Sequence, residues 1–454
     1  MMRSLWSAVS GLNTHQMEMD VIGNNISNVN TTAYKSQATG FQDVLYQTIK
    51  NGSGAGQNTA TTSAAQVGLG SKVGSIYTNI SAQGSAITTN NVLDLMITGD
   101  SFFVISPNAQ TGELNFSRDG SFTIDAEGFL VTQNNGYYVM GVMGDGQIGN
   151  AVTNLQVINR RTIDWNENGV IDNNETIDYM EGQATTQSYF KGNLNSMDPK
   201  LQDGAEGLVQ RVEVYGNDGK TYTLKFVVSH LEEDDSNIFN LSLTGITDED
   251  GKSVSFNAIE DIKLEYDKHS GVLTSAGQNN AGQGLQTFTF GGDASQIGPL
   301  TVNFNNTTNY ASTMGGNSST LYAYKGDAQG LNKGYPKGTL TGISFSNDGS
   351  IYGTYSNGET VRKGQIAVAE FNNAMGLEKV GDNLYAQSLN SGAAQIIDIS
   401  TTGGYMTSGV LEGSNVDLAK EFTDMITTQR GFQANSRVIT TSDELLQVLK
   451  GLKR

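Results

Sequence analysis

Apolar side chains recur every seven residues at both ends of this 454-residue chain, and that period restricts each end to a long helix lying against another helix. Near the start the stripe is Leu5, Leu12, Met19 and Ile26; near the end it is Leu418, Met425, Phe432, Ile439 and Leu446. The companion positions are mixed, with Val9 and Gln16 in the first segment and Phe422, Gln429, Ser436 and Asp443 in the second. At ~1.5 Å per residue the two segments reach roughly 39 and 54 Å. Such stripes allow two arrangements: an assembly device whose ends pair with each other and with other copies, or a terminal hairpin that closes a monomer. The first helix should end near residues 28–30, because Asn24, Asn25, Asn28 and Asn30 favour turns and caps. The last should open on a capping box of Ser414 and Asp417. Within it Gly431 costs about 1 kcal/mol relative to alanine, and Thr440, Thr441 and Ser442 suggest a break with a restart at Thr441.

Between the helices, 55 glycines against 4 prolines, with many Asn, Thr and Ser, favour tight turns between short strands. Residues 51–66 read as a flexible connector, and the first convincing strand material is Val73, Ile76, Tyr77 and Ile80. Asp119-Gly120, the Asp125 to Gly128 stretch and Asp348-Gly349 each read as a hairpin turn between apolar positions. Strand-like runs occur at 209–215, 222–228, 238–243, 262–266, 286–290 and 300–304, the first two joined by an Asp-Gly turn. The fold class is mainly β with paired terminal α-helices.

The net charge of −19 argues against a general nucleic-acid surface, which needs positive charge. Zero cysteines rule out disulfides and thiolate metal sites, and no apolar run is long enough for a membrane span. The opening residues lack the apolar core of a secretory signal. His15, His230 and His269 have no ligand-spaced companions, and neither a nucleophile elbow nor a phosphate loop is present, so no enzyme is expected. One segment does match a metal pattern: residues 164–175 satisfy the twelve-residue calcium loop. Asp164, Asn166 and Asn168 would supply side-chain oxygens, Val170 its carbonyl, Asp172 a water-mediated contact and Glu175 a bidentate carboxylate. The competing reading is an Asn-rich turn, since the flanks look like short strands and no helix pair frames the loop. Both stay open, and calcium, if bound, would be held weakly.

Several stretches carry a resemblance. Residues 4–45 (SLWSAVSGLNTHQMEMDVIGNNISNVNTTAYKSQATGFQDVL), 99–105, 116–131, 352–357, 364–385, 408–418 and 420–441 resemble the flagellar rod and hook axial protein family. Asn24, Asn25, Ser27, Asn28 and Asn30 near the start, and Arg430, Gly431 and Asn435 near the end, are its most typical residues here. The resemblance implies coiled-coil-forming terminal helices, discontinuous all-β domains and a mid-chain β insertion. The implied division is a terminal core (1–32 with 413–454), a linker and extended segment (33–72), and an inner β domain (73–146 with 355–412). A middle β domain (147–186 with 310–354) and an outer inserted domain (187–309) complete it.

By the same resemblance the subunit polymerises into the bendable tube of the hook, which passes motor torque to the filament. It would meet rod, hook-cap and hook–filament junction proteins outside the cell, after export without a cleaved signal by the flagellar type III apparatus. Leu5, Val9, Leu12, Met19 and Ile26 would pack with Leu418, Phe422, Met425, Phe432 and Ile439, and Gln16 and Gln429 would set register. The long middle favours a hook subunit over a distal rod subunit. A secreted calcium-binding adhesive β protein is the more distant alternative.

Overall fold

The computed structural model describes the chain apart from residues 1, 53, 55–60, 62, 109–111, 150, 163–175, 203, 232–236, 278–283, 312–316 and 452–454. The calcium-loop residues Asp164, Asn166, Asn168, Val170, Asp172 and Glu175 therefore lie outside the described residues. The architecture is mainly β, with helix α1 (Met2–Ser27) and helix α2 (Leu418–Gly451) packed together. The chain forms two compact units, one of residues 1–158, 343–353 and 362–454 and the other of 159–342 and 354–361.

The first unit is built around strand Phe102–Ser106, every residue of which is buried. Side chains alternate across a strand, so Phe103 and Ile105 enter one core while Phe102 and Val104 enter another on the opposite face. A continuous apolar run is what a strand covered on both faces requires. Along one edge it pairs with Asn115–Ser117, and along the other with Tyr138–Met143 and Val368–Glu370. Phe122 meets the Phe103 ring edge-on at 5.0 Å, and Phe371 does the same to Phe116 at 4.8 Å.

In the second unit, strands Leu208–Tyr215, Thr221–His230, Ile238–Thr247, Ile262–Tyr266 and Leu273–Ala276 form a five-stranded antiparallel meander. Tyr222, Leu224, Phe226 and Val228 alternate onto its buried face. They pack with Phe190, Val302 and Phe304 from a four-stranded sheet in which Gln187–Asn193 and Leu300–Thr308 run parallel. The expected Asp-Gly hairpin between 209–215 and 222–228 forms, with Tyr215 opposite Thr221.

Four local expectations are corrected. Asp119-Gly120 does not turn a hairpin: Asn115–Ser117 pairs with Phe102–Ser106, whereas Phe122–Ile124 pairs with Leu130–Thr132. Gly120 is needed instead because a Cβ would overlap the carbonyl oxygen of Leu95, and Asp119 caps the backbone N–H of Ser121 at 3.1 Å. Strand structure begins well before Val73. Gln37–Asp43 pairs with Ser71–Thr78 and Tyr46–Lys50 with Ala65–Gly68, making a two-stranded arm that folds back along α1. The N-cap of α2 is Asp417, whose carboxylate accepts from Ala419 and Lys420, while Ser414 accepts only from Val416. Nor does α2 break at Thr441: the hydroxyls of Thr440, Thr441 and Ser442 donate back to the carbonyls of Arg437 and Val438, so the helix runs through.

Candidate assembly site on the terminal helices

The two helices are antiparallel. Gly11 faces Asn435, Gly431 faces His15, and Asn25 donates to Glu421 at 3.1 Å, so partners on α2 descend as those on α1 ascend. Buried or half-buried along the facing sides are Ala8, Gly11, His15, Glu18, Ile22 and Asn25 of α1 and Glu421, Met425, Thr428, Phe432, Asn435, Ile439 and Ser442 of α2, while Thr14, also buried, turns to Ser71 of the arm. Both sets keep heptad spacing. The seam is nonetheless narrow and largely polar. A Cβ on Gly11 would stand 2.7 Å from the Asn435 amide, and one on Gly431 would stand 2.6 Å from the His15 ring. The glycine that looked like a helix defect is therefore what lets the imidazole in.

Of the expected stripe, Met425, Phe432 and Ile439 lie half-buried along this seam. Leu5, Leu12, Met19 and Ile26 sit one position beside it, half-buried. Val9, Gln16, Leu418, Phe422, Gln429 and Leu446 are exposed. The companions on α2 are thus Glu421, Thr428, Asn435 and Ser442. Polar residues do not register in a search for apolar periodicity, which is why sequence reasoning missed them. Large apolar groups remain uncovered on both helices, including Trp6 (66% exposed), Phe422, Ile426 (59%), Leu445 and Val448.

The asparagines expected to stop α1 have a second task. Asn25 exchanges two hydrogen bonds with the backbone of Gln37, at 2.8 and 2.9 Å, as a strand neighbour would. Its carbonyl also accepts from Tyr34, whose hydroxyl accepts from Asn24. Asn28 donates to Asn24 and Ser27 to Gly23, while Asn30 and Arg430 are exposed. Burial raises the pKa of Glu421, against the opposing hydrogen bond from Asn25, and Asp424 and Asp417 push it the same way.

Below the helices lies a buried ionic cluster that the sequence reading did not single out. Lys35 contacts Glu412 at 2.7 Å with both side chains almost fully buried. Lys35 also donates to the Ala82 carbonyl, and Glu412 accepts from the Gly84 N–H at 2.9 Å. Arg118 stands 3.9 Å from the other carboxylate oxygen and 4.8 Å over the Phe102 ring. Burial lowers the pKa of both Lys35 and Arg118, with Glu412 opposing the shift. The cluster fastens the segment leaving α1 and the strand leading to α2 onto the same β core. Each of its three charges falls within a stretch that carries the family resemblance, and a lone basic or acidic residue there gave no sign of being buried.

Among the described residues no helix is long and apolar enough to cross a membrane. Three family models match: "Flagella basal body rod protein" over residues 5–35, "Flagellar hook protein FlgE/F/G D1 domain" over 96–171, and "Flagellar basal body rod FlgEFG protein C-terminal" over 407–452. The flagellar hook protein FlgE of Borreliella burgdorferi is 35% identical, and that of Treponema pallidum 34%, each aligned over all of both chains. The flagellar basal-body rod protein FlgG of Bacillus subtilis is 28% identical, also over the whole of both chains, so length does not separate hook from rod here. The chain belongs to the flagellar hook and rod protein family, whose members are structural subunits of the flagellar axis and not enzymes.

Proposed function

We propose that this chain is the subunit of the flagellar hook, polymerising helically into a bendable extracellular tube that transmits motor torque to the filament. The observation that carries this reading is the apolar surface left open on both terminal helices. Their mutual seam takes up only a few apolar side chains, Ala8, Ile22, Met425, Phe432 and Ile439, among glycine, amide, hydroxyl and carboxylate groups, so Trp6, Phe422, Ile426, Leu445 and Val448 stay in water unless other copies cover them. Covering each is worth on the order of 1.5–3 kcal/mol, which repeated heterologous contacts can use and a monomer cannot. In this reading the stripe from Leu5 to Ile26 packs against the α2 stripe of neighbouring copies. The division into inner, middle and outer β domains belongs to the same proposal, as do contacts with rod, cap and junction proteins and type III export.

A second reading, distal rod subunit, is favoured by the full-length match to a protein named as a rod component. The test is electron microscopy of purified full-length protein beside a variant lacking residues 1–30 and 414–454, both under polymerising conditions. Curved tubes from the full-length chain alone support the hook reading, straight rods support the rod reading, and dispersed particles from both at high concentration refute assembly by the terminal helices.

A further inference from the structure

Helix α2 is longer than its partner. Ser442 is its last buried residue, and every position from 443 to 451 is exposed. The antiparallel register set by Gly11 with Asn435 carries this segment past the start of α1. It presents Leu445, Leu446, Val448 and Leu449 to solvent, 38–60% exposed. At the base of this segment stand two acids, Asp443, which accepts from Gln447, and Glu444, and at its far end one base, Lys450. On the same unit, α1 and the two-stranded arm enclose a cleft of about 420 Å³. Its walls are Met17, Val44 and Val73, with Thr14 and Ser71 hydroxyls bridging at its base, 3.2 Å apart, and Lys72 at its rim. Met17 is 47% exposed, and Lys72 has no acidic partner among the described residues.

We propose that the overhanging end of α2 in one copy seats in the cleft between α1 and the arm of the next copy. This rests on the assembly reading above and names the surfaces that reading uses. The overhang offers an apolar ridge with two carboxylates at its base and Lys450 at its tip; the cleft offers apolar walls with an ammonium at its mouth, which faces the carboxylates when the tip points away. Apolar shape and charge therefore match in one orientation. Such a contact is heterologous, tail into side, and so propagates from copy to copy instead of stopping at a pair. It also gives the part of α2 that extends beyond α1 an apolar surface to pack on.

The absence of native cysteine makes the test clean. Met17→Cys and Leu449→Cys are combined in one full-length chain and, separately, made singly, all under mild oxidation after polymerisation. Within one subunit the two positions lie roughly 30 Å apart along the helix pair, since Met17 lies beside the α2 segment near Gln429, so an internal disulfide is excluded. Both side chains are exposed, so the substitutions leave folding intact. Tubes that yield a ladder of multimers from the double variant, and monomers from each single variant, are the expected result. Tubes with no ladder overturn this contact while leaving assembly standing. Dimers from Leu449→Cys alone show the helix ends meeting each other and overturn it too. Failure of the unsubstituted chain to polymerise overturns both the contact and the reading beneath it.

Discussion

Replacing Lys35 by methionine should destabilise the first unit by about 3 kcal/mol, toward the low end of the cost of removing one partner from a buried ion pair. The structure sets that figure. The substitution keeps the stem and deletes the ammonium, leaving the Glu412 carboxylate with the Gly84 N–H at 2.9 Å and the Arg118 guanidinium at 3.9 Å. The Ala82 carbonyl is not orphaned, because Asn415 still donates to it at 3.0 Å. Glu412→Gln is the harsher change, about 5 kcal/mol, since it leaves two buried cations without their counter-charge. Its deficit should shrink as pH rises. Burial already lowers the folded pKa of Lys35, so the folded state holds fewer protons than the unfolded one above that value, and stability climbs as the proton is lost. Together the two substitutions should cost about 2 kcal/mol less than their sum, because the second removes a charge the first had stranded. Hydrogen exchange of the strands Ala86–Thr88 and Val410–Glu412, which pair beside the cluster, reads these energies in dilute monomer. Single substitutions costing under about 1 kcal/mol, or a strictly additive double variant, would refute the account of the cluster as a fastening.

Other perturbations separate the remaining claims. Gly431→Val drives a branched side chain into the His15 ring and should cost about 1–3 kcal/mol of helix-pair stability in thermal melts, with His15→Ala restoring most of it; no recovery would mean that the glycine serves another purpose. Because the pKa of Glu421 is raised, its contribution is fully present below the ordinary value of 4.5 and is lost as pH rises through the raised value. Glu421→Gln, which keeps the acceptor for Asn25, should tighten the seam at neutral pH and flatten that dependence in exchange rates of α2. Gly120→Ala, which places a methyl group on the Leu95 carbonyl oxygen, should cost several kcal/mol in urea unfolding, on the order of 3 or more, and a near-neutral result would show the backbone yielding there. Calcium titrated calorimetrically into the full chain separates the two readings of 164–175: weak binding in about the millimolar range that Glu175→Gln abolishes is the outcome expected of a calcium loop, and silence up to several millimolar is that expected of a turn.

Much of this fold could be read from residue order. The alternation in 209–215 and 222–228 with an Asp-Gly between them marked a hairpin whose strands run 208–215 and 221–230, and the crowded asparagines marked the end of α1, which stops at Ser27. What could not be read depended on partners distant in sequence. Asp119-Gly120 has the composition of a turn, yet its conformation is decided by the Leu95 carbonyl pressing against it. The arm from Gln37 onward is built of half-buried and exposed residues whose pairing comes from a second segment, Ser71–Thr78, with no buried stripe to announce it. The helix seam was legible only in part: apolar periodicity found Met425, Phe432 and Ile439, but not Gly11, Gly431, Asn25 and Glu421, which carry no apolar signal.

The interleaving of the first unit has a consequence for the order in which the chain can acquire structure. Leu95–Thr98 waits for Tyr405–Ser408, Ala86–Thr88 for Val410–Glu412, and α1 for α2. The second unit pairs its meander from neighbouring segments and can close on its own as soon as they exist. Contacts of such long separation are slow to form and cannot form at all on a chain still being synthesised. The first unit therefore stays open, with Lys35 and Arg118 hydrated, until Glu412 arrives to receive them. In a polypeptide arranged this way the inserted unit can form first, and the most tightly fastened part is the last to lock.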